Sequence, residues 1–162
     1  MSLTQIQNSR GRLDPSRLFR VVVSGTAFCC VAALAQPQTM SREGFTLRSS
    51  TVPSTAIAEA SAKAHGIDPA PGRGLFNVMV EKSVPNGENM EAEVTVTARN
   101  LAGMEREIEM REARAPNGMV SYVGTFEFAN REVLDFKVRA VPHGSRAELH
   151  LRYRERMPRV PG

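Results

Sequence analysis

The sequence predicts a mainly β protein: an antiparallel immunoglobulin-like β-sandwich of about seven strands with one short N-terminal helix. Two observations indicate this fold class. From residue 74 to residue 153, apolar and polar side chains alternate with a period of two, as in strands with one buried and one solvent-facing side. Short turns, and no crossover helix, separate the predicted strands, which favours antiparallel sheets packed face to face.

Residues 1–35 have the pattern of a signal peptide. Four arginines precede an apolar run at residues 21–35, and this run ends on the small residues Ala33 and Ala35. A membrane-spanning helix needs about 20 apolar residues, which is longer than this run. We therefore expect cleavage after Ala35 and a periplasmic or secreted location, with membrane contact only through the signal peptide before cleavage. The alternative is an uncleaved anchor.

Cleavage would change the composition of the mature protein. Cys29 and Cys30 are the two cysteines of the chain, so the mature domain would have neither a disulfide nor a cysteine metal site. Loss of four Arg and one Asp leaves 17 Lys and Arg against 16 Asp and Glu, and the net charge falls from +4 to +1. A nearly neutral surface gives little of the field that neutralises phosphates, which argues against a nucleic-acid partner.

The mature chain is predicted to have three parts. Residues 36–53 form a partly disordered N-terminal segment with one short edge strand near Phe45. Residues 54–157 form the β-sandwich domain, which begins with a short helix over residues 55–64. Ser54 is the expected N-cap of that helix, and Gly66 supplies the left-handed position that ends it. Residues 158–162 form an exposed tail.

The clearest strand covers residues 92–99. Its inward-facing residues are predicted to be Ala92, Val94, Val96 and Ala98, and its outward-facing residues Glu93, Thr95, Thr97 and Arg99. The same pattern predicts further strands at residues 75–81, 106–110, 122–128, 134–140 and 147–153. A turn at residues 85–87 is expected to join the first two strands of this region as a hairpin.

Several segments of the β region carry a family resemblance. They are GLFNVMV at 74–80, ARNLAG at 98–103, MRE at 110–112, YVGTF at 122–126, EVLDF at 132–136 and VPHG at 141–144. In order and spacing they resemble the domain of unknown function 4426 family, found in small exported proteins of Gram-negative bacteria. The resemblance covers residues 45–153 and implies an envelope location and a β-sandwich-like fold. That family has no established activity, so the resemblance implies no catalytic residue, cofactor or partner.

No arrangement of residues predicts catalysis. His65, His143 and His150 lack the spacings that bring ligands together on one metal ion. Ser145 and His143 lie in one tight turn, which rarely orients a nucleophile and its base. The carboxylates of the strands occupy solvent-facing positions and alternate with arginines. We therefore expect a protein that is not an enzyme, with no catalytic residue, no cofactor and no metal.

The candidate recognition surface is Arg99 and Asn100, in the most distinctive segment of the resemblance. The alternative is a structural role, since Asn can cap its own turn and Arg99 can pair with a nearby acid. A second basic cluster lies at the C-terminal end, either as a solubilising edge guard or as a contact for anionic lipid headgroups. It consists of Arg152, Arg154, Arg156 and Arg159.

The expected function follows from these exclusions. The sequence predicts an exported, non-enzymatic protein-interaction or accessory module that binds an unknown envelope protein through an exposed strand edge or a turn surface. The alternative is a module that binds a small ligand or a glycan on the outer face of one sheet.

Overall fold

A computed structural model describes residues 37–160, with the exception of residues 65 and 86. The described residues form nine strands, one 3₁₀ turn and one short helix. The strands are β1 (Gln38–Arg42), β2 (Phe45–Pro53), β3 (Arg73–Lys82), β4 (Ala92–Asn100), β5 (Glu105–Ile108), β6 (Arg111–Arg114), β7 (Val120–Glu127), β8 (Val133–Pro142) and β9 (Leu149–Arg156). The predicted signal peptide, residues 1–35, and His65 lie outside the described residues.

The strands form two antiparallel sheets. Sheet A has five strands in the order β1-β2-β3-β7-β6, and sheet B has four in the order β5-β4-β8-β9. The mainly β, two-sheet architecture predicted from the period-two pattern is therefore confirmed. Nine strands are present instead of about seven, because β1 and β6 are short, polar edge strands with no apolar alternation to reveal them. Among the described residues, no helix has the length and apolar character needed to cross a membrane.

The core lies between the sheets and is centred on aromatic rings from both. Phe76 of β3 and Phe136 of β8 are almost completely buried, and their ring centroids are 5.0 Å apart. Phe126 of β7 and Tyr153 of β9 each lie 5.4 Å from Phe136, centroid to centroid. The Tyr153 hydroxyl shares a hydrogen bond of 2.9 Å with the Ser49 hydroxyl, so its polar tip is satisfied at the edge of the core.

Strand β4 alternates as predicted. Ala92, Val96 and Ala98 are buried and Val94 is half-buried, while Glu93 and Arg99 are exposed. Its neighbour β8 alternates in the same way, and the pairing of Val96 with Val138 places two valines side by side on the inner face of sheet B. The period-two pattern therefore assigned the two faces of this sheet correctly.

The hairpin predicted to join β3 and β4 through residues 85–87 is wrong, although the chain turns back after β3 and forms an antiparallel bridge between Glu81 and Asn89. Strand β3 belongs to sheet A and β4 to sheet B, so the chain crosses from one sheet to the other at this point. Two further crossovers connect β5 to β6 and β7 to β8. Turn residues are equally compatible with both kinds of connection, and only the packing of the two sheets decides between them.

The N-terminal segment differs from the prediction. The strand near Phe45 is not a short edge strand: β2 covers nine residues and pairs with β1 on one side and β3 on the other. The edge position belongs to β1, which folds back through Glu43 and Gly44, both with positive φ. A turn of this kind joins two strands tightly and matches their twist.

The helix is shorter than predicted, and Ser54 does not cap it. Residues Ser54–Ala56 form the 3₁₀ turn, and α1 covers Glu59–Ala64. The buried Ser54 hydroxyl donates to the Ala70 carbonyl and accepts from the Ala70 N–H, both at 3.0 Å, so it ties down the loop that follows the helix. Gly66 has the predicted left-handed φ of 62°, and the Ile67 N–H donates to the Ala62 carbonyl at 2.8 Å.

The C-terminal tail is exposed at Pro158 and Arg159 but is attached to the domain. The Pro158 carbonyl accepts from the Arg131 N–H at 3.3 Å, and the Val160 N–H donates to the Asn130 side chain at 3.2 Å. Val160 is half-buried against the core. Residues 161 and 162 lie outside the described residues.

Asn89 bridges β3 and β7 at the point where their pairing ends. Its side-chain amide donates to the carbonyls of Val80 (3.3 Å) and Val120 (2.9 Å), and its carbonyl oxygen accepts from the Val120 N–H at 2.5 Å. The last paired residues of the two strands are Val78 and Tyr122. The Asn89 side chain therefore supplies the hydrogen bonds that the ladder no longer makes.

We expect Asn89→Ala to lower the free energy of unfolding by about 1–3 kcal/mol, because it leaves part-buried backbone groups unpaired. Chemical denaturation of the variant and the parent measures the difference. Asn117→Ala is the matched control, since Asn117 makes one hydrogen bond in an exposed turn. Equal losses in the two variants would contradict the bridging role.

Candidate functional site

A groove of about 700 Å³ lies on the outer face of sheet A, beside its edge strand β6. We call it the β6 groove. It is lined by residues of β3, β6 and β7 and by the loop after α1: Gly66, Ile67, Asp68, Arg73, Leu75, Arg111, Glu112, Ala113, Arg114, Ala115, Pro116, Ser121, Val123, Gly124 and Thr125.

The floor of the β6 groove is apolar because of strand alternation. Leu75 on β3, Ala113 on β6 and Val123 on β7 are half-buried and lie on the outer face, between residues that point into the core. These three side chains form a shallow apolar surface between the polar residues of the lining. Such a surface can accommodate side chains of an extended segment.

The rim of the groove carries three arginines, two of which have partners. Arg73 donates to the Asp68 carbonyl at 2.9 Å and lies 3.5 Å from its carboxylate. Arg114 pairs with Glu91, and with Glu112 at 2.7 Å. The pKa of Glu91 lies below its ordinary value mainly because Arg114 donates a hydrogen bond to its carboxylate.

Arg111 is the remaining cation of the rim. It is exposed and has no ion pair or hydrogen bond from its side chain to any of the residues the structure describes. It lies opposite Val123 in the pairing of β6 with β7, so its side chain stands next to the apolar floor. A guanidinium that has no ion-pair partner and lies beside an apolar surface can bind a carboxylate of a bound chain.

No strand among the described residues pairs with the outer side of the β6 backbone. In this part of the chain β6 is the last strand of sheet A and pairs only with β7. On the opposite side of the sandwich the edge strands β1 and β9 lie against each other. β9 also carries the half-buried Glu155 on its inward side, where burial raises the pKa of the carboxyl above its ordinary value. An inward-pointing acid on an edge strand discourages pairing with another chain.

The structure places Arg99 and Asn100 at the end of β4. The Asn100 side-chain oxygen accepts from the Met104 N–H at 3.0 Å, and its backbone N–H donates to the Met104 carbonyl at 2.9 Å. Asn100 therefore closes the turn between β4 and β5. Arg99 is exposed. The pKa of Asp135 lies below its ordinary value mainly because of the hydrogen bond from Arg154, and the charge of Arg99 contributes to the same lowering. A role for these two residues in recognition stays a prediction.

Next to Asn100, the β4–β5 turn exposes two large apolar side chains. Leu101 is 69% exposed and Met104 is 66% exposed. The β6 groove does not include them, nor does it include Arg99 or Asn100. The candidate recognition surface of the sequence and the β6 groove are therefore two separate surfaces.

Sequence reasoning missed the β6 groove. Residues 111–114 read Arg-Glu-Ala-Arg, and their short polar pattern predicts neither a strand nor a site. The one signal was the MRE segment at residues 110–112, which contains Arg111. Its exposure beside an apolar floor depends on β7 and β3, which lie elsewhere in the sequence.

The histidines that the structure describes form pairs with carboxylates. His143 lies 3.3 Å from Glu91, and His150 lies 3.3 Å from Glu148. Within residues 37–160, setting aside 65 and 86, no three His, Cys, Asp or Glu side chains are grouped to hold a metal ion. The expectations of no metal and no catalytic residue remain predictions.

Comparison with known proteins adds a family and a fold. Residues 40–157 match the family model described as Domain of unknown function (DUF4426). A crystal structure of a DUF4426 family protein from Pseudomonas aeruginosa PAO1 is similar to this chain, with a TM-score of 0.67 and 20% sequence identity over 77% of this chain and 97% of that one. No curated protein matches the sequence. At this identity the likeness concerns the fold.

Proposed function

This chain belongs to the DUF4426 family, whose function is unknown, and on that premise we propose that it is an exported, non-enzymatic module that binds an extended segment of an envelope protein in the β6 groove. The observation that carries the proposal is the position of a free strand edge directly beside an open apolar floor. A segment added to β6 would hydrogen-bond to its free edge and place alternate side chains on that floor.

The charge of the rim suggests the chemistry of the bound segment. Arg73 and Arg114 are already paired with acids, whereas Arg111 has no partner among the described residues. A bound segment with an Asp or Glu close to an apolar residue would pair with Arg111 and cover the floor formed by Val123 and Ala113. We therefore expect an acidic-apolar segment in extended conformation.

The order of the strands supports the immunoglobulin-like assignment that we propose for the sandwich. Without β1, sheet A reads β2-β3-β7-β6 and sheet B reads β5-β4-β8-β9. With β2 as the first strand, these orders correspond to ABED in one sheet and C′CFG in the other, which is the immunoglobulin arrangement. In such a domain the free edge β6 is strand D.

The location that we propose is the periplasm or the outside of the cell. Its support is the basic, apolar and small-residue order of residues 1–35, and cleavage after Ala35 would leave a mature protein that starts at Gln36. The intact mass of the protein recovered from the envelope fraction measures this directly. A mass that includes residues 1–35 would favour the uncleaved anchor.

We expect Arg111→Glu to abolish capture of the partner in the cell. The test places a photoreactive amino acid at Ala113 and identifies crosslinked proteins by mass spectrometry, together with the peptide that is attached. In the parent we expect one dominant partner, crosslinked through an acidic-apolar peptide. Arg111→Glu should reduce the yield of that product about tenfold or more, since it replaces an attraction with a repulsion at the rim.

Two controls keep this experiment specific. Arg146→Glu changes the same charge on an exposed loop residue outside the β6 groove and should leave the crosslink unchanged. A photoreactive residue at Ala102, in the exposed β4–β5 turn, should give no such product. The proposal fails if the product persists in Arg111→Glu, or if Ala102 crosslinks the same partner equally well. In the latter case the turn with Arg99 and Asn100 becomes the recognition surface.

The alternative, a module that binds a small ligand or a glycan, is favoured by a different observation. A second concavity of about 250 Å³ lies on the outer face of sheet B. It is smaller than the pockets of about 300–1,000 Å³ that enclose whole drug-sized ligands. It therefore suits one chemical group of a ligand.

A further inference from the structure

We propose that the outer face of sheet B holds a binding site for a phosphate group, built around Arg152. This site is separate from the β6 groove and does not depend on the function proposed for that groove. It lies in the cavity of about 250 Å³, which is lined by Thr95, Thr97, Glu105, Lys137, Val138, Arg139, His150 and Arg152. We call it the β9 cavity.

Two cations of the β9 cavity are placed side by side. Lys137 of β8 and Arg152 of β9 are direct partners in the antiparallel register. Like charges directly opposite each other on one face destabilise a sheet. An anion bound between them would turn this repulsion into two attractions.

Arg152 is a cation of this face that lacks a partner among the described residues. On either side of it along the face, Arg154 binds Asp135 through two hydrogen bonds of 2.6 and 2.8 Å, and Arg139 binds Glu148 at 2.6 Å. No ion pair or hydrogen bond joins the Arg152 side chain to any of the described residues. Its guanidinium thus retains all its donors, in the fork geometry that matches two oxygens of a phosphate.

Acidic groups offset only part of the charge of the cavity. Glu105 lies 3.0 Å from the Lys137 ammonium and is the one carboxylate in the lining, against Lys137, Arg139 and Arg152. The pKa of Glu105 lies below its ordinary value mainly because Lys137 donates a hydrogen bond to its carboxylate. Arg139 is balanced by Glu148 and Lys137 by Glu105, so Arg152 is the lining cation whose charge is left without a carboxylate partner among the described residues.

The floor of the cavity offers a neutral donor. The Thr97 side-chain oxygen is buried beside Glu105, and its hydroxyl helps the Lys137 ammonium to lower the pKa of that carboxyl. Thr97 lies opposite Lys137 in the pairing of β4 with β8. Thr97, Lys137 and Arg152 therefore form one row across three strands, with a hydroxyl, an ammonium and a guanidinium as donors.

The site is tested with the protein expressed from its full sequence, purified and titrated with inorganic phosphate at low ionic strength. Calorimetry or NMR chemical shifts report the binding. We expect saturable binding that Arg152→Gln weakens about tenfold or more, because a charge-assisted, bidentate contact is lost. Arg146→Gln, on an exposed loop residue outside the cavity, should bind phosphate as the parent does.

A second variant and two further ligands complete the test. Thr97→Val should weaken phosphate binding several-fold while the protein remains folded, because only a hydroxyl is replaced. Glucose 6-phosphate and phosphatidylcholine vesicles that contain phosphatidylglycerol distinguish a phosphorylated small molecule from a lipid headgroup. For either source, the binding must be lost in Arg152→Gln. Absence of saturable binding to all three ligands, or equal binding by Arg152→Gln and Arg146→Gln, would overturn the proposal.

Discussion

Replacement of Phe136 by alanine is expected to lower the free energy of unfolding by about 3–5 kcal/mol. Phe136 is 1% exposed and lies at the centre of the core, where its ring meets three others, those of Phe76, Phe126 and Tyr153. Two of these rings come from sheet A and one from sheet B. Alanine would leave a cavity between the sheets that the paired strands on both sides prevent from collapsing.

Guanidinium denaturation followed by tyrosine fluorescence and by circular dichroism measures this loss. A domain of this size has a total stability of about 5–15 kcal/mol, so the expected loss is a large fraction of that stability. Leu101→Ala removes a side chain that is 69% exposed and should change the free energy by less than about 0.5 kcal/mol. A loss below about 1 kcal/mol in Phe136→Ala would show that the two sheets do not pack through this ring.

Addition of one methyl group at Gly124 is the second change with a large expected effect. The chain passes from β5 in sheet B to β6 in sheet A through Glu109 and Met110, and this link crosses closely over Gly124 of β7. A Cβ atom at residue 124 would lie 2.6 Å from the Glu109 carbonyl oxygen and 2.8 Å from both the Ile108 Cγ2 and the Met110 Sδ. The carbonyl belongs to the backbone and cannot rotate away as a side chain can.

We therefore expect Gly124→Ala to lower the free energy of unfolding by about 1–3 kcal/mol, because the added methyl group overpacks this site. Glu127→Gln is the control, since it alters a solvent-facing residue of the same strand that does not line the β6 groove. The clash would also displace β6, so Gly124→Ala should reduce crosslinking from Ala113, whereas Glu127→Gln should keep β6 in place. A Gly124→Ala protein as stable as its parent would mean that the link does not cross over this residue.

The functional surfaces were less visible in the sequence than the strands. Arg152 was recognised as one of four C-terminal arginines, but their sequence does not say which of them has a partner. Asp135, which binds Arg154, lies on another strand, and the register of β8 with β9 decides that Arg152 faces Lys137 instead. Arg111 belongs to a four-residue edge strand whose pattern resembles a turn. Arg111 is a candidate binding residue because it lies beside the apolar floor of the β6 groove, and β3 and β7 supply part of that floor.

Asn100 illustrates the opposite case. Its tolerance for turn conformations and its ability to bind its own backbone are local properties, and the sequence therefore predicted a structural alternative to recognition. The structure shows that its side chain binds the Met104 N–H four residues later. Local chemistry of this kind can be predicted because both partners lie within one turn.

The sequence by itself determined most of the strands and their two faces, because alternation along a strand is a local property of neighbouring residues. It also determined the left-handed end of the helix at Gly66. Only the tertiary structure decided that β3 and β4 lie in different sheets, that β1 and β6 extend sheet A at its two edges, and that Ser54 holds a loop instead of capping a helix. Those outcomes depend on the packing of segments far apart in the chain, where the energy of a contact is not encoded in either segment alone.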